Sequence, residues 1–245
     1  MYISSGEQGP QAIAVYCGSS IGKRAAYAKA AQSVGTAIAK SNRQLIYGGG
    51  NSGIMGTVAK AAADGGGRVL GIIPFAMAKI GERDKSVPED LGVKKSVELE
   101  TDSAKCQTII VNSMHERKVE MAKRACGFLG LPGGFGTFEE VFEVTTWTQI
   151  GIHDKPVVLL NVLNYYEPIR KMIESSIEAG FVQPLSNRLI TIVDGPKNLE
   201  EHESFDWGAA ALGALASWKQ GEFKSLFNWS ERLDGTQSDE TLAAT

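Results

Sequence analysis

Leu131-Pro132-Gly133-Gly134-Phe135-Gly136-Thr137-Phe138-Glu139-Glu140 is the stretch that decides how this chain folds. Ahead of it, the apolar run from Cys126 to Leu131 reads as a buried strand; behind it, Phe138 to Gln149 reads as a helix. A strand that passes through a glycine turn into a helix start gathers backbone N–H groups around an anion. Glycines at Gly133, Gly134 and Gly136 let the main chain approach a phosphate without Cβ clashes. Glu140, three residues after Thr137, then falls in the first helical turn. A phosphate cradle with a carboxylate at its edge points to chemistry on a phosphorylated small molecule.

The same alternation extends outward in both directions. Ala12 to Cys17 reads as a strand ending in Gly18-Ser19-Ser20, and Arg24 to Lys40 as an alanine-rich helix. Gln44 to Tyr47 is a second strand, running into Gly48-Gly49-Gly50-Asn51-Ser52-Gly53 and a helix from Ile54 to Asp64. Arg68 to Ile73 is a third strand, and Phe75 to Gly92 shows no firm period, as a loop or lid would. Val93 to Leu99 is a short strand, and Ile109 to Arg124 has apolar residues at helical spacing. After the central turn come a strand at Pro156 to Asn161, a helix from Tyr165 to Ala179, a strand at Leu189 to Val193 and a helix from Asn198 to Ala216. Strands alternating with helices predict an α/β fold: a Rossmann-like, doubly wound, mostly parallel sheet flanked by helices in a single domain. Its expected extent is residues 12–216, with a flexible lead over 1–11 and a C-terminal extension over 217–245 that is partly disordered from Ser230 on. The turns at Gly18, Gly48 and Gly133 all follow strands. In a parallel sheet they share one edge, where such folds bind ligands.

Composition narrows the function classes. With 245 residues, 43% apolar and 22% charged, the chain can bury one α/β core. A net charge of −3 and no basic cluster argue against nucleic acid as a partner. Apolar runs such as Pro156 to Leu160 are too short to span a bilayer. The first ten residues have no apolar h-region, so secretion is not indicated. Cys17, Cys106 and Cys126 form no CxxC pair and fit free thiols in a reducing cytoplasm. His115, His153 and His202 are too scattered to suggest a metal, and none is expected.

Each motif also has a reading without chemistry. Gly48 to Gly53 has neither a clean GxGxxG register nor a following Lys-Ser/Thr, so it is either a phosphate contact or a tight turn requiring φ > 0. Thr137 and Glu140 fit a capping box, with Thr137 at N-cap and Glu140 at N3, and spacing alone favours that role. Glu139 points about 100° away around the helix. Met114-His115-Glu116-Arg117-Lys118 fits a solvated helix face, and Lys123 and Arg124 suit a helix C-terminus. Met114 and Met121 fit core packing.

Together, however, Pro132-Gly133-Gly134-Phe135-Gly136-Thr137-Phe138-Glu139-Glu140 matches a PGGxGTxxE signature, and Ser113-Met114-His115-Glu116-Arg117-Lys118 matches its companion. Thr146-Trp147-Thr148-Gln149-Ile150-Gly151-Ile152-His153-Asp154-Lys155-Pro156, Leu160-Asn161, Val15-Tyr16-Cys17-Gly18-Ser19-Ser20 and Tyr47-Gly48-Gly49-Gly50 extend the match. Over roughly Ala12 to Phe181 the chain resembles the Lonely Guy family of cytokinin-activating nucleoside 5'-monophosphate phosphoribohydrolases, whose members often carry an older lysine decarboxylase label. The resemblance implies hydrolysis of the N-glycosidic bond of an N6-substituted AMP, with no cofactor. It implies that Arg117 and Glu140 are the catalytic pair. Gly134, Gly136 and Thr137 would hold the phosphate, with Lys118 and Thr146 nearby, and Ser19, Gly49, Met114, Gly133 and Phe135 complete the implied substrate-binding set. It further implies a homodimer or higher homo-oligomer with sites near the subunit interface. An acidic base-side contact would come from Glu98 or Glu100. Two other functions compete: a pyridoxal phosphate decarboxylase, which needs a lysine placed for a Schiff base, and a non-catalytic nucleotide-binding protein of the same fold.

Overall fold

Seven strands form one sheet in the order β4-β3-β2-β1-β5-β6-β7 in the computed structural model, which describes residues 12–78, 105–219, 221 and 227–231. The strands are β1 (Ala12–Tyr16), β2 (Gln44–Tyr47), β3 (Arg68–Pro74), β4 (Cys106–Val111), β5 (Ala125–Gly130), β6 (Val157–Asn161) and β7 (Ile190–Asp194). Every pairing is parallel. Parallel strands covered on both faces have no polar side to show; accordingly β1 is apolar throughout and β6 apolar up to Asn161, and both are buried along their whole lengths.

Helices α1 (Ala25–Lys40), α2 (Gly53–Asp64) and α6 (Trp207–Ala216) cover one face, packing Ala30, Val34, Val58 and Trp207 against Ile13, Val15, Leu45 and Leu129. Helices α3 (Met114–Arg124) and α4 (Phe135–Gln149) cover the other, packing Met121, Val141, Val144 and Trp147 against Tyr16, Ile46 and Phe128. Amphipathic α5 (Glu167–Glu178) adds Ile169 and Ile173 at the rim of that second core.

The chain builds outward from β1 through β2 and β3 to β4, then returns to lay β5 on the opposite side of β1. The loops after β1 and β5 therefore leave in opposite directions and open a crevice at the carboxyl edge, the position at which this class of fold takes its ligands.

Three expectations are corrected. The helix expected over Ile109 to Arg124 is two elements: β-branched Thr108 to Val111 extend as an edge strand in register with Gly71 to Pro74, and the helix begins only at Met114. Edge pairing to β3 outweighs a helical spacing carried by few residues. The helix expected over Asn198 to Ala216 is broken. Leu199–Glu203 is a 3-10 segment capped by Asn198, and α6 starts afresh where Asp206 accepts from Ala209 N–H at 3.0 Å. The third concerns residues 75–92: 75–78 are helical rather than a loop, and the remainder lies outside the described residues, as do the strand expected over Val93 to Leu99, Glu98 and Glu100. So do the lead over 1–11 and the tail beyond Glu231. Within the extension, Trp218 donates through its indole N–H to Asp154 Oδ1 at 2.9 Å, and Trp229 to Ile150 O at 2.8 Å.

Candidate active site

The crevice between the β1 and β5 loops is built around the N-terminus of α4. Gly134 is its N-cap and carries no side-chain cap. The helix therefore begins three residues earlier than the pattern suggested, at Phe135, and Thr137 is its third residue rather than its cap. Leaving β5, the chain needs extended backbone only through Gly134 (φ −97°, ψ −155°), so nothing delays helix formation to Thr137. The N–H groups of Gly134, Phe135, Gly136 and Thr137 are the four that helix geometry leaves without an internal acceptor. A Cβ at Gly134 or Gly136 would meet nothing within 4 Å. The protein leaves this side of the turn open.

The capping box lies instead on α3. Ser113 accepts from Glu116 N–H at 3.0 Å, and Glu116 Oε2 accepts from Asn112 N–H at 2.7 Å. Of the two, only the Thr137–Glu140 spacing is expected to form a box, and the tertiary setting, which carries the turn after β5 straight into helix, leaves that one unused.

Glu140 is thereby released from capping. It sits one turn beyond Thr137 on the same buried face of α4, and its Oε1 accepts from Arg117 Nη2 at 2.7 Å. The two residues are 7% and 6% exposed, an ion pair inside the protein. Burial pushes the Glu140 carboxyl up from its usual 4.5 to about 7, against the opposing pull of Arg117. Tyr16 beneath it is likewise pushed up by burial and then by the Glu140 charge. Arg117 Nη1 reaches Met114 Sδ at 3.7 Å, and its Nε is buried with no hydrogen-bond partner among the described residues. The guanidinium thus keeps a donor in hand.

The guanidinium also explains Gly48. A Cβ there would stand 2.4 Å from Arg117 Nη2, so the β2 loop must be bare for the arginine to pass. Gly53 answers the second open question. It adopts φ +64°, and a Cβ would lie 2.2 Å from Ser19 O. The loop after β1 is pressed into the N-terminus of α2, where Ile54 N–H donates to Ser20 O at 3.3 Å and Met55 N–H to Gly18 O at 3.0 Å. The helix start that follows the Gly48 to Gly53 turn thus spends the N–H groups of Ile54 and Met55 on protein carbonyls. The turn itself is tight and supports the β1 loop.

The remaining site residues fall into two groups. Ser19, Gly133 and Phe135 line the crevice mouth, with Ser19 held by Ser52 Oγ donating to its carbonyl at 3.2 Å and Phe135 91% exposed. Gly49 (φ +76°) faces Ile73. Two expected phosphate neighbours are not brought to the turn. Thr146 is exposed and donates to Phe142 O, twelve residues beyond the N-cap and so roughly 18 Å along the helix. Lys118 Nζ is held by Glu139 Oε1 at 2.5 Å and Glu143 Oε1 at 2.8 Å. Burial lowers its pKa, but the hydrogen bonds to Glu139 and Glu143 and their charges outweigh that and raise it. A Schiff-base lysine needs the opposite, an amine that loses its proton readily. Sequence inspection missed Tyr165 and Tyr166, whose hydroxyls reach the turn: Tyr166 donates to Leu131 O at 2.6 Å and Tyr165 to Gly133 O. A paired aromatic just past a strand was the available signal, and it reads equally well as core. Among the described residues no cluster of His, Cys, Asp or Glu could hold a metal ion.

Comparison with known proteins agrees with this picture. The family model described as "Possible lysine decarboxylase" matches residues 55–202. The chain is 42% identical over 194 residues, 78% of this chain and 82% of the other, to the cytokinin riboside 5'-monophosphate phosphoribohydrolase LOG3 of Arabidopsis thaliana. It is 40% identical over 189 residues, 77% of this chain and 70% of the other, to the probable cytokinin riboside 5'-monophosphate phosphoribohydrolase LOGL2 of Oryza sativa subsp. japonica. Its fold resembles that of the Moco carrier protein from Chlamydomonas reinhardtii, with a TM-score of 0.54 at 20% identity over 86% of this chain and 98% of that one.

Proposed function

This chain belongs to the cytokinin riboside 5'-monophosphate phosphoribohydrolase family, and on that premise we propose that it hydrolyses the N-glycosidic bond of N6-substituted adenosine 5'-monophosphates. Water adds across the bond, leaving the free base and ribose 5-phosphate. The observation that carries this reading is the buried Arg117–Glu140 pair beside an uncapped helix N-terminus.

Departure of the base leaves positive charge on the ribose, as in other glycosidic cleavages. A carboxylate fixed in a site of low polarity stabilises that charge without having to reorganise. Glu140 has the type and placement for that role and for holding a ribose hydroxyl or the attacking water. Arg117 keeps it ionised against the cost of burial and has its free Nε donor available to the nucleotide. The N–H groups of Gly134, Phe135, Gly136 and Thr137 receive the 5'-phosphate. Lys118 steadies α4 through Glu139 and Glu143. We place the protein in the cytoplasm: its three cysteines are few and form no CxxC pair, and among the described residues no helix is long and apolar enough to cross a membrane. It works as a homodimer or larger homo-oligomer, whose interface would cover Phe135 at the crevice mouth; mass measurement in solution tests this.

Incubation with isopentenyladenosine monophosphate, AMP and isopentenyladenosine, followed by chromatography of the free base, tests the activity. Base released from the monophosphates and not from the nucleoside is expected. Release from none would leave a nucleotide-binding protein without hydrolytic function.

Glu140 also sets an expected pH dependence. A protonated carboxyl offers the sugar no charge, so kcat/KM should rise as pH climbs through about 7. Stability should run the other way. The folded state holds this proton more tightly than the unfolded chain, so the residue's contribution is greatest below about 4.5 and is lost as pH rises to about 7. Thermal midpoints against pH for wild type and Glu140→Gln, whose amide does not titrate, separate the two trends. A kcat/KM profile flat across neutrality would remove Glu140 ionisation from the rate.

A further inference from the structure

Three successive carbonyls of the turn before α4 are each taken by a donor from the protein side. Leu131 O accepts from the Tyr166 hydroxyl at 2.6 Å, Pro132 O from Gly18 N–H at 3.1 Å, and Gly133 O from the Tyr165 hydroxyl. A trans peptide points its C=O and its N–H in opposite directions. Holding the oxygens of Pro132 and Gly133 inward therefore turns the N–H groups of Gly133 and Gly134 outward, toward the open side of the turn. Glycines have the widest choice of peptide orientations, so without such ties this segment would sample conformations that aim a carbonyl at an anion.

We infer that Tyr165 is a positioning residue for phosphate: by holding Gly133 O, its hydroxyl aims Gly134 N–H at the 5'-phosphate of the nucleotide. This rests on the reading of the turn as the phosphate site. Tyr165 is well placed to act as a fixed point. Its ring stacks on Phe138 at 6.4 Å and meets Tyr27 edge-on at 6.1 Å. Its backbone follows Leu163 and Asn164, both left-handed at φ 53° and 60°. The next residue is tied down as well: Asn161 Oδ1 accepts from Tyr166 N–H at 2.7 Å, Asn161 Nδ2 donates to Asp194 Oδ1 at 2.7 Å, and Arg170 pairs with the same carboxylate at 2.6 Å. A chain of polar contacts thus runs from the last strand to the turn, the kind of supporting layer that keeps binding groups oriented before the ligand arrives.

The two tyrosines make a test that packing alone would not pass. Tyr165→Phe keeps the ring between Phe138 and Tyr27 and frees Gly133 O. Tyr166→Phe frees Leu131 O, but the peptide that follows has no N–H to aim, because Pro132 supplies its nitrogen. Calorimetric titration with ribose 5-phosphate, and with adenosine as a probe lacking phosphate, should show Tyr165→Phe binding ribose 5-phosphate about tenfold more weakly and adenosine unchanged, the scale of one hydrogen bond. Tyr166→Phe should lower the thermal midpoint without that selective loss. Unchanged ribose 5-phosphate affinity in Tyr165→Phe, or equal losses for both probes, would overturn the positioning role. A phosphate-selective loss in Tyr166→Phe matching that of Tyr165→Phe would overturn the peptide-plane argument. Wild-type protein that binds ribose 5-phosphate no better than ribose would instead overturn the phosphate reading of the turn itself.

Discussion

Glu140→Gln should bind nucleotide and release base at least a hundredfold more slowly than wild type. The amide is nearly isosteric, so α4 and its fit against Tyr16 should persist. What disappears is the negative charge, and a fixed charge or donor in a water-poor site is typically worth about 10²–10³ in turnover. Arg117 Nη2 would then face an amide oxygen across the same 2.7 Å, still hydrogen bonded but no longer neutralised. The amide does not titrate, whereas wild type loses stability as pH rises through the raised carboxyl pKa, so the variant should match wild type most closely at pH 5, where the carboxyl is neutral, and be relatively the more stable of the two at pH 8. Single-turnover release of base with saturating isopentenyladenosine monophosphate, alongside nucleotide titration, measures both halves of the expectation. Wild-type rates in the variant would take Glu140 out of the mechanism and return it to a structural role.

Arg117→Ala should be comparably damaging for a different reason. It removes the cation that opposes burial at Glu140, so the carboxyl pKa should climb beyond its present value near 7. At neutral pH the acid would stand protonated and the sugar would lose its counter-charge, with turnover falling by about 10²–10³. The loss should be smaller in alkali, because enough hydroxide ionises Glu140 even without its partner. A pH–rate profile of the variant displaced to higher pH is the signature. Leaving a buried charge unpaired costs about 3–5 kcal/mol in comparable sites, but Glu140 can escape by taking up a proton, so the thermal midpoint should fall less than that figure implies. If the midpoint drops while kcat and its pH profile stay put, Arg117 is a structural arginine only.

Much of this protein was legible without coordinates. Alternation of short apolar runs with helical segments implies a parallel sheet, and glycine turns after β1, β2 and β5 imply one functional edge, because side-chain period and turn chemistry are local properties of the chain. Boundaries failed where a neighbour decided them. Thr108 to Val111 became strand because β3 offered an edge, and α6 began late because Asp206 captured Ala209 N–H. The signatures around Arg117 and Glu140 identified the family, and the two residues that we propose react stand within them, though the spacing of Thr137 and Glu140 suggested a cap that the helix does not use.

The sequence by itself determined the sheet class, the family and the two residue types at the centre of the site. Tertiary structure decided which glycine turn stays open: after the Gly48 to Gly53 turn, Ile54 and Met55 give their N–H groups to Ser20 and Gly18, while at the Gly133 turn the first N–H groups of α4 meet no acceptor among the described residues. It also brought Arg117 and Glu140, 23 residues apart in sequence, to 2.7 Å, diverted Lys118 to Glu139 and Glu143, and set two tyrosines behind the turn. The physical reason is the same in each case. Local sequence tells which polar groups a segment leaves unsatisfied, but the partner that satisfies them comes from a distant segment, and only packing the sheet and its helices brings the two together.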